Sequence, residues 1–136
     1  MKILLLGANG MLGPHVVKVL EKEHDLILSD VHASMDSKHD YHQINISDLE
    51  SVVNISSGMD AIINLSVVRE ERRLAFDVNS QGCYNVMSAA VENGIKRVIN
   101  TGPHFTVAGP SYEDYDFAIH SSVPPQAGTY LYAHTK

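Results

Sequence analysis

Ile3-Leu4-Leu5-Leu6 is an unbroken apolar run with the length of a fully buried strand, and it passes straight into Gly7-Ala8-Asn9-Gly10-Met11-Leu12-Gly13. Beyond these three evenly spaced glycines, Val16, Val17, Val19 and Leu20 recur at helical spacing, with Lys18, Glu21 and Lys22 on the other face. Strand, glycine turn and helix in that order form a phosphate-binding context. The first glycine allows the tight turn, the middle one lets backbone approach a pyrophosphate, and the third lets helix pack close to strand. The N–H groups and dipole of the helix then hold the phosphate charge. The candidate contacts are Gly7, Asn9, Gly10, Met11, Leu12 and Gly13. The spacing is G-x-x-G-x-x-G rather than G-x-G-x-x-G, and an ordinary glycine-rich surface turn is the alternative.

A chain of 136 residues is one domain with enough length for a real core. Its net charge of −6, with no basic run, argues against a nucleic-acid surface. Cys83 is the single cysteine, so no disulfide framework and no cysteine-based zinc site is expected. It falls in a helical apolar pattern, which suggests a small buried hydrophobe. No run approaches the ~20 apolar residues of a membrane span, and no signal-cleavage pattern follows the first strand. These features predict a cytoplasmic chain with no membrane partner.

Leu26-Ile27-Leu28-Ser29 reads as a second strand closing on Asp30, about 20 residues past the glycine turn. There a carboxylate can accept hydrogen bonds from ribose hydroxyls and would repel a 2′-phosphate, which favours NAD over NADP. A plain strand-end turn residue is the alternative. Val31 to Gln43 is polar and holds His32, His39, Asp40 and His42; a solvated loop is favoured over a metal site. Ile44-Asn45-Ile46 suggests a short third strand, and Ser47 with Glu50 a capping box for a helix ending near Gly58. Ala61 to Leu65 reads as a buried strand, Val67 to Arg73 as loop passing into helix, and Leu74 to Asn93 as a long helix stopped by Gly94. Phe76, Val78, Val86, Met87, Ala90 and Val91 are its apolar positions, and Arg97 to Asn100 supplies another strand. Buried strands alternating with helices predict an α/β fold with a parallel sheet covered on both faces. From Gly102 to Thr129 the pattern dissolves into Gly, Pro, aromatic and acidic residues, as expected of an active-site loop after a strand's carboxyl end.

The last segment places Tyr132 and Lys136 four apart, on one face if a helix begins there. A phenol is a poor base at neutral pH, and a nearby ammonium would stabilise its phenolate. On spacing alone the pair is a weak signal.

Together these segments resemble the extended short-chain dehydrogenase/reductases, in the NAD-dependent epimerase/dehydratase branch. Gly7, Gly10 and Gly13 match its glycine turn, and Asp30 its second-strand acid. Asn45-Ile46-Ser47-Asp48 resembles the Asp-x-x-Asp element beside the adenine, with Asn45 in place of the first Asp. Asn64-Leu65-Ser66 resembles the His-Leu-Ala-Ala strand end lining the cofactor, and Val78-Asn79-Ser80-Gln81-Gly82 the Val-Asn-x-x-Gly of the central helix. Tyr132 and Lys136 match Tyr-x-x-x-Lys. The resemblance implies a Rossmann-type doubly wound sheet that binds NAD. It makes Tyr132 the acid/base, Lys136 the holder of the nicotinamide ribose that lowers the phenol's pKa, and Asn79 a positioning group. It adds Asn45, Ile46, Leu65 and Ser66 to the cofactor contacts, and implies a small-molecule substrate such as a sugar nucleotide. A homodimer through the long helices, using Tyr84 and Met87, is implied too; core packing explains those residues equally well.

Two departures stand out. Aligning Val107-Ala108-Gly109 on the family's Val-Tyr-Gly puts His104 where a catalytic Ser or Thr belongs; Thr101 or Thr106 is the alternative, and loss of that position another. Members also run to roughly twice this length, so residues 1–136 read as an incomplete domain, truncated after its fifth strand, without the C-terminal substrate region. The expected function is an NAD-dependent oxidoreductase or sugar-nucleotide epimerase/dehydratase. The alternatives are a non-catalytic NAD-binding sensor or scaffold, or an inactive fragment.

Overall fold

The computed structural model describes residues 1–33, 38–104 and 126–136. The elements are β1 (Lys2–Leu6), α1 (Gly13–Leu20), β2 (Asp25–Asp30), β3 (Asp40–Gln43), α2 (Leu49–Ser56) and β4 (Ala61–Asn64). A continuous helical run follows as α3 (Arg72–Ala75), a π-helical stretch (Phe76–Gln81) and α4 (Gly82–Glu92). β5 (Val98–Asn100) and α5 (Leu131–Thr135) complete it.

The five strands form one sheet in the order β3-β2-β1-β4-β5, and every pairing is parallel. β1 is central: Leu4 lies opposite Ile27 on one side and Ile62 on the other. Strand side chains alternate between faces, so Leu4, Leu6 and Ile62 pack with Val52 of α2 and Val86, Ala89 and Ala90 of α4. Ile3, Leu5, Leu26 and Leu28 pack with Val16, Val17 and Leu20 of α1. This is the doubly wound α/β, Rossmann-type arrangement expected from the alternation of strands and helices. From β1 the chain winds outward to β3, then returns to β4 on the other side. The resulting crevice at the strands' carboxyl ends is where such sheets bind ligands.

Several expectations are corrected. The third strand is Asp40–Gln43, inside the run read as loop, and Ile44-Asn45-Ile46 follows it. Periodicity misses it because β3 is an edge strand, paired on one side only and mostly exposed, so Asp, His and Gln are tolerated. Asp48, not Ser47, caps α2, its carboxylate accepting from the Glu50 amide, while the Ser47 hydroxyl donates to the Asp77 carbonyl at 2.9 Å.

The long helix starts two residues early and contains the π-helical stretch, whose wider turn breaks the 3.6-residue phase. Phe76, Met87 and Val91 are exposed, while Val86 and Ala90 are buried as expected; adjacent helical residues such as 86 and 87, or 90 and 91, lie about 100° apart and cannot share one face. Tyr84 and Met87 stand 65% and 52% exposed, which removes core packing as their role. Cys83 is half-buried in a polar cluster rather than in the core, its thiol donating to Asn100 Oδ1 at 3.3 Å. In the polar run, His39 and Lys38 both meet the Glu21 carboxylate, at 3.0 and 2.7 Å. Among the described residues, no helix is long and apolar enough to cross a membrane. Most of the irregular stretch after His104, including Thr106 and Val107-Ala108-Gly109, lies outside the described residues.

Candidate functional site

A groove of about 650 Å³ opens at the carboxyl ends of the strands. It is lined at one end by Gly7, Asn9, Gly10, Met11 and Leu12, and reaches Thr101, Gly102 and Tyr132 at the other. Asp30, Asn45, Ile46, Leu65 and Ser66 lie along it. Arg69, Leu74 and Val78 add a cation and two apolar side chains.

The glycine turn owes its shape to its lack of side chains. Gly7 has φ +80°, and a Cβ there would fall 2.7 Å from the Ser66 amide nitrogen. Gly13 lies so close to the strand end that a Cβ would sit 2.0 Å from the Ala8 carbonyl oxygen. The Gly7 and Ala8 amides both donate to the Ser29 carbonyl, which pins the turn to β2. Leu12 gives α1 no side-chain cap, and its first turn carries no acidic residue. An uncapped, uncharged helix start with backbone this open suits a pyrophosphate. This cradle fits a dinucleotide; Gly10, Met11 and Leu12 would hold its phosphates.

Asp30 accepts from the Asn9 amide at 3.0 Å and from the His32 amide at 3.2 Å. These bonds use part of each oxygen's capacity, since a carboxylate has about four acceptor positions. The Asn9 side chain donates to the Tyr41 hydroxyl at 2.9 Å, tying the turn to β3. Asn45 Oδ1 accepts from the Ser47 amide at 3.0 Å and so shapes the segment beside Ile46.

The opposite end is built around α5. Tyr132 lines the groove, and burial pushes its phenol above the ordinary value, partly countered by the Arg69 guanidinium. Lys136 donates from Nζ to the Ser66 carbonyl at 2.7 Å. Burial holds its ammonium below the usual lysine value, opposed by the Cys83 side chain. Asn79 is fully buried and lies behind the groove wall: it accepts from the Val68 amide at 2.9 Å, and donates to the Val68 carbonyl at 2.7 Å and Thr135 Oγ1 at 2.8 Å. Thr101 donates its hydroxyl to the Asn64 carbonyl at 3.1 Å. His104 is exposed and is not among the residues lining the groove.

Residues 3–136 match the sequence pattern of the NAD dependent epimerase/dehydratase family. The chain belongs to that family. Among its relatives is GDP-mannose 3,5-epimerase 1 of Oryza sativa subsp. japonica, 26% identical over 110 residues, covering 71% of this chain and 29% of the relative. Of solved structures, a monomeric L-threonine 3-dehydrogenase of metagenomic origin superposes with a TM-score of 0.83 at 22% identity, covering 98% of this chain and 45% of that one. WbmG of Bordetella bronchiseptica, solved in complex with NAD, superposes at 0.79 with 18% identity, over 99% of this chain and 46% of that one. The chain thus spans less than half the length of each of these proteins, and the two structural likenesses establish the fold.

Several residues of this family member's site escaped sequence reasoning. Arg69 lies in the stretch read as loop passing into helix; its place five residues beyond the Asn64 strand end is the signal that could have marked it. Thr135, Ser80 and Cys83 fall inside segments already read, but nothing in the sequence marks them as site residues. Ser80 and Thr135 come together because α5 packs against α3 and the π-helical stretch, with Ser80 Oγ donating to the Thr135 carbonyl at 2.7 Å, and Cys83 faces Lys136.

Proposed function

We propose that this chain is the cofactor-binding part of an NAD-dependent oxidoreductase or sugar-nucleotide epimerase/dehydratase. The carrying observation is one continuous groove with the glycine turn at one end and Tyr132 at the other. Gly7, Asn9, Gly10, Met11, Leu12 and Gly13 hold the pyrophosphate, Asp30 the adenosine ribose, and Asn45 and Ile46 the adenine side. Leu65, Ser66 and Lys136 hold the nicotinamide half. Nicotinamide, when bound, supplies the hydride donor and acceptor. Tyr132 exchanges a proton with a substrate hydroxyl or carbonyl, and Asn79 positions the wall behind it. Asp30 gives NAD preference over NADP. The enzyme works in the cytoplasm, as a homodimer through the exposed face of α4. The name of the rice relative points to a sugar nucleotide as substrate class.

A second reading, a non-catalytic NAD-binding module, is favoured by Thr101, whose hydroxyl is already committed to the Asn64 carbonyl. Calorimetric titration of the chain with NADH tests the shared part: Gly10→Leu should abolish binding, because its side chain would occupy pyrophosphate space. Tyr132→Phe in the protein from its native source separates the two. Lost turnover supports the enzyme, and retained biological activity supports the binding module.

A further inference from the structure

The Arg69 guanidinium stands over the Tyr132 ring, 5.5 Å from its centroid. Arg69 comes from the segment beyond β4, Tyr132 from α5, and both line the groove. Lys136, one turn further along α5, is turned to the Ser66 carbonyl at 2.7 Å. We infer that Arg69 is the cation that stabilises the Tyr132 phenolate, a positioning residue acting through the phenol. The inference rests on the reading of Tyr132 as the acid/base.

Three observations support it. First, among the described residues Arg69 makes no ion pair, neither with the adjacent Glu70 nor with Glu71, which caps α3 through the Arg73 and Leu74 amides. Among the described residues, no carboxylate neutralises its charge. Second, a planar, weakly hydrated guanidinium suits an aromatic face, and it keeps its charge throughout the range in which a phenol titrates. Third, Lys136 Nζ is committed to the Ser66 carbonyl at 2.7 Å rather than to the phenol.

Among the described residues, the titratable groups bearing on the phenol are Arg69 from the segment after β4 and Cys83 from α4. Cys83 acts in the opposite sense, since a thiolate there would repel a phenolate.

The test labels the chain's six tyrosines with fluorotyrosine and follows Tyr132 by fluorine NMR as pH rises, assigning its resonance from Tyr132→Phe. Fluorination lowers phenol pKa, which keeps the titration within the range where the protein stays folded. Arg69→Met should move the Tyr132 transition to higher pH. Arg69→Lys should stay nearer the unmutated chain, and Lys136→Met should move the transition less than Arg69→Met does. An unmoved transition in Arg69→Met, equal shifts in both Arg69 variants, or a larger shift in Lys136→Met would each overturn the inference. None of these readouts needs turnover, so a failure of the catalytic reading, seen as unchanged activity in Tyr132→Phe, remains distinguishable.

Discussion

Asn79 Nδ2 donates to Thr135 Oγ1 at 2.8 Å, joining the π-helical stretch to α5 across 56 positions of sequence. The same side chain holds both the amide and the carbonyl of Val68. One buried amide thereby fixes the groove wall after β4 relative to the helix that carries Tyr132. Asn79→Ala strands these partners in a buried setting, where each unsatisfied group costs about 1–3 kcal/mol. Urea denaturation should register a loss of about 3 kcal/mol, and the fluorescence of Tyr132 should report a loosened α5. A loss below about 1 kcal/mol would show that the clamp carries little.

Gly13→Ala and Gly58→Ala make a matched pair. A Cβ at Gly13 would meet the Ala8 carbonyl oxygen at 2.0 Å, whereas at Gly58, with φ +73°, it meets nothing within 4 Å. Backbone cannot yield cheaply, so Gly13→Ala should cost at least about 3 kcal/mol or prevent folding. Gly58→Ala should cost about 1 kcal/mol, the strain of a left-handed alanine. Equal midpoints in thermal unfolding would contradict the close approach of α1.

The proposed preference for NAD over NADP rests on Asp30. The unmutated chain should bind NADH more tightly than NADPH, and Asp30→Ala should weaken NADH about tenfold and narrow the gap. Since Asp30 holds the Asn9 amide through Oδ2 and the His32 amide through Oδ1, Asp30→Asn serves as a partial control: it keeps one acceptor and removes the charge together with the other. Equal affinity for both nucleotides in the unmutated chain would sink the preference.

Lys136 gives a pH signature. Its folded value lies below the ordinary 10.5, so between the two the unfolded chain binds more protons than the folded one. Stability then rises with pH in that window as the cost of burying the ammonium is relieved. Urea midpoints of the unmutated chain should gain on those of Lys136→Met as pH climbs towards 10.5. A constant difference would mean that the ammonium is solvated in the folded chain.

Tyr84, Met87 and Val91 share one exposed face of α4. With a second copy of the chain covering it, sedimentation velocity should show a dimer that Met87→Lys converts to monomer. A monomeric unmutated chain would remove that reading.

Sequence by itself determined the alternation of strands and helices, the parallel sheet, and the glycine turn after β1. Those features are local: a buried strand, a backbone-only turn and an amphipathic helix each write a short-range pattern. The family resemblance singled out Asp30, Asn79 and Tyr132, and the fold sets Asp30 and Tyr132 along the groove with Asn79 buried. The edge strand β3 was not, since exposure on one side relaxes the demand for apolar residues. The π-helical stretch was not, since an extra residue per turn shifts the face without changing composition. The tertiary structure alone decided that Arg69 lies on Tyr132, that Lys136 turns to Ser66, and that Cys83 leaves the core for Asn100. These are contacts between segments far apart in the chain, set by how the sheet and helices pack rather than by any neighbouring residue.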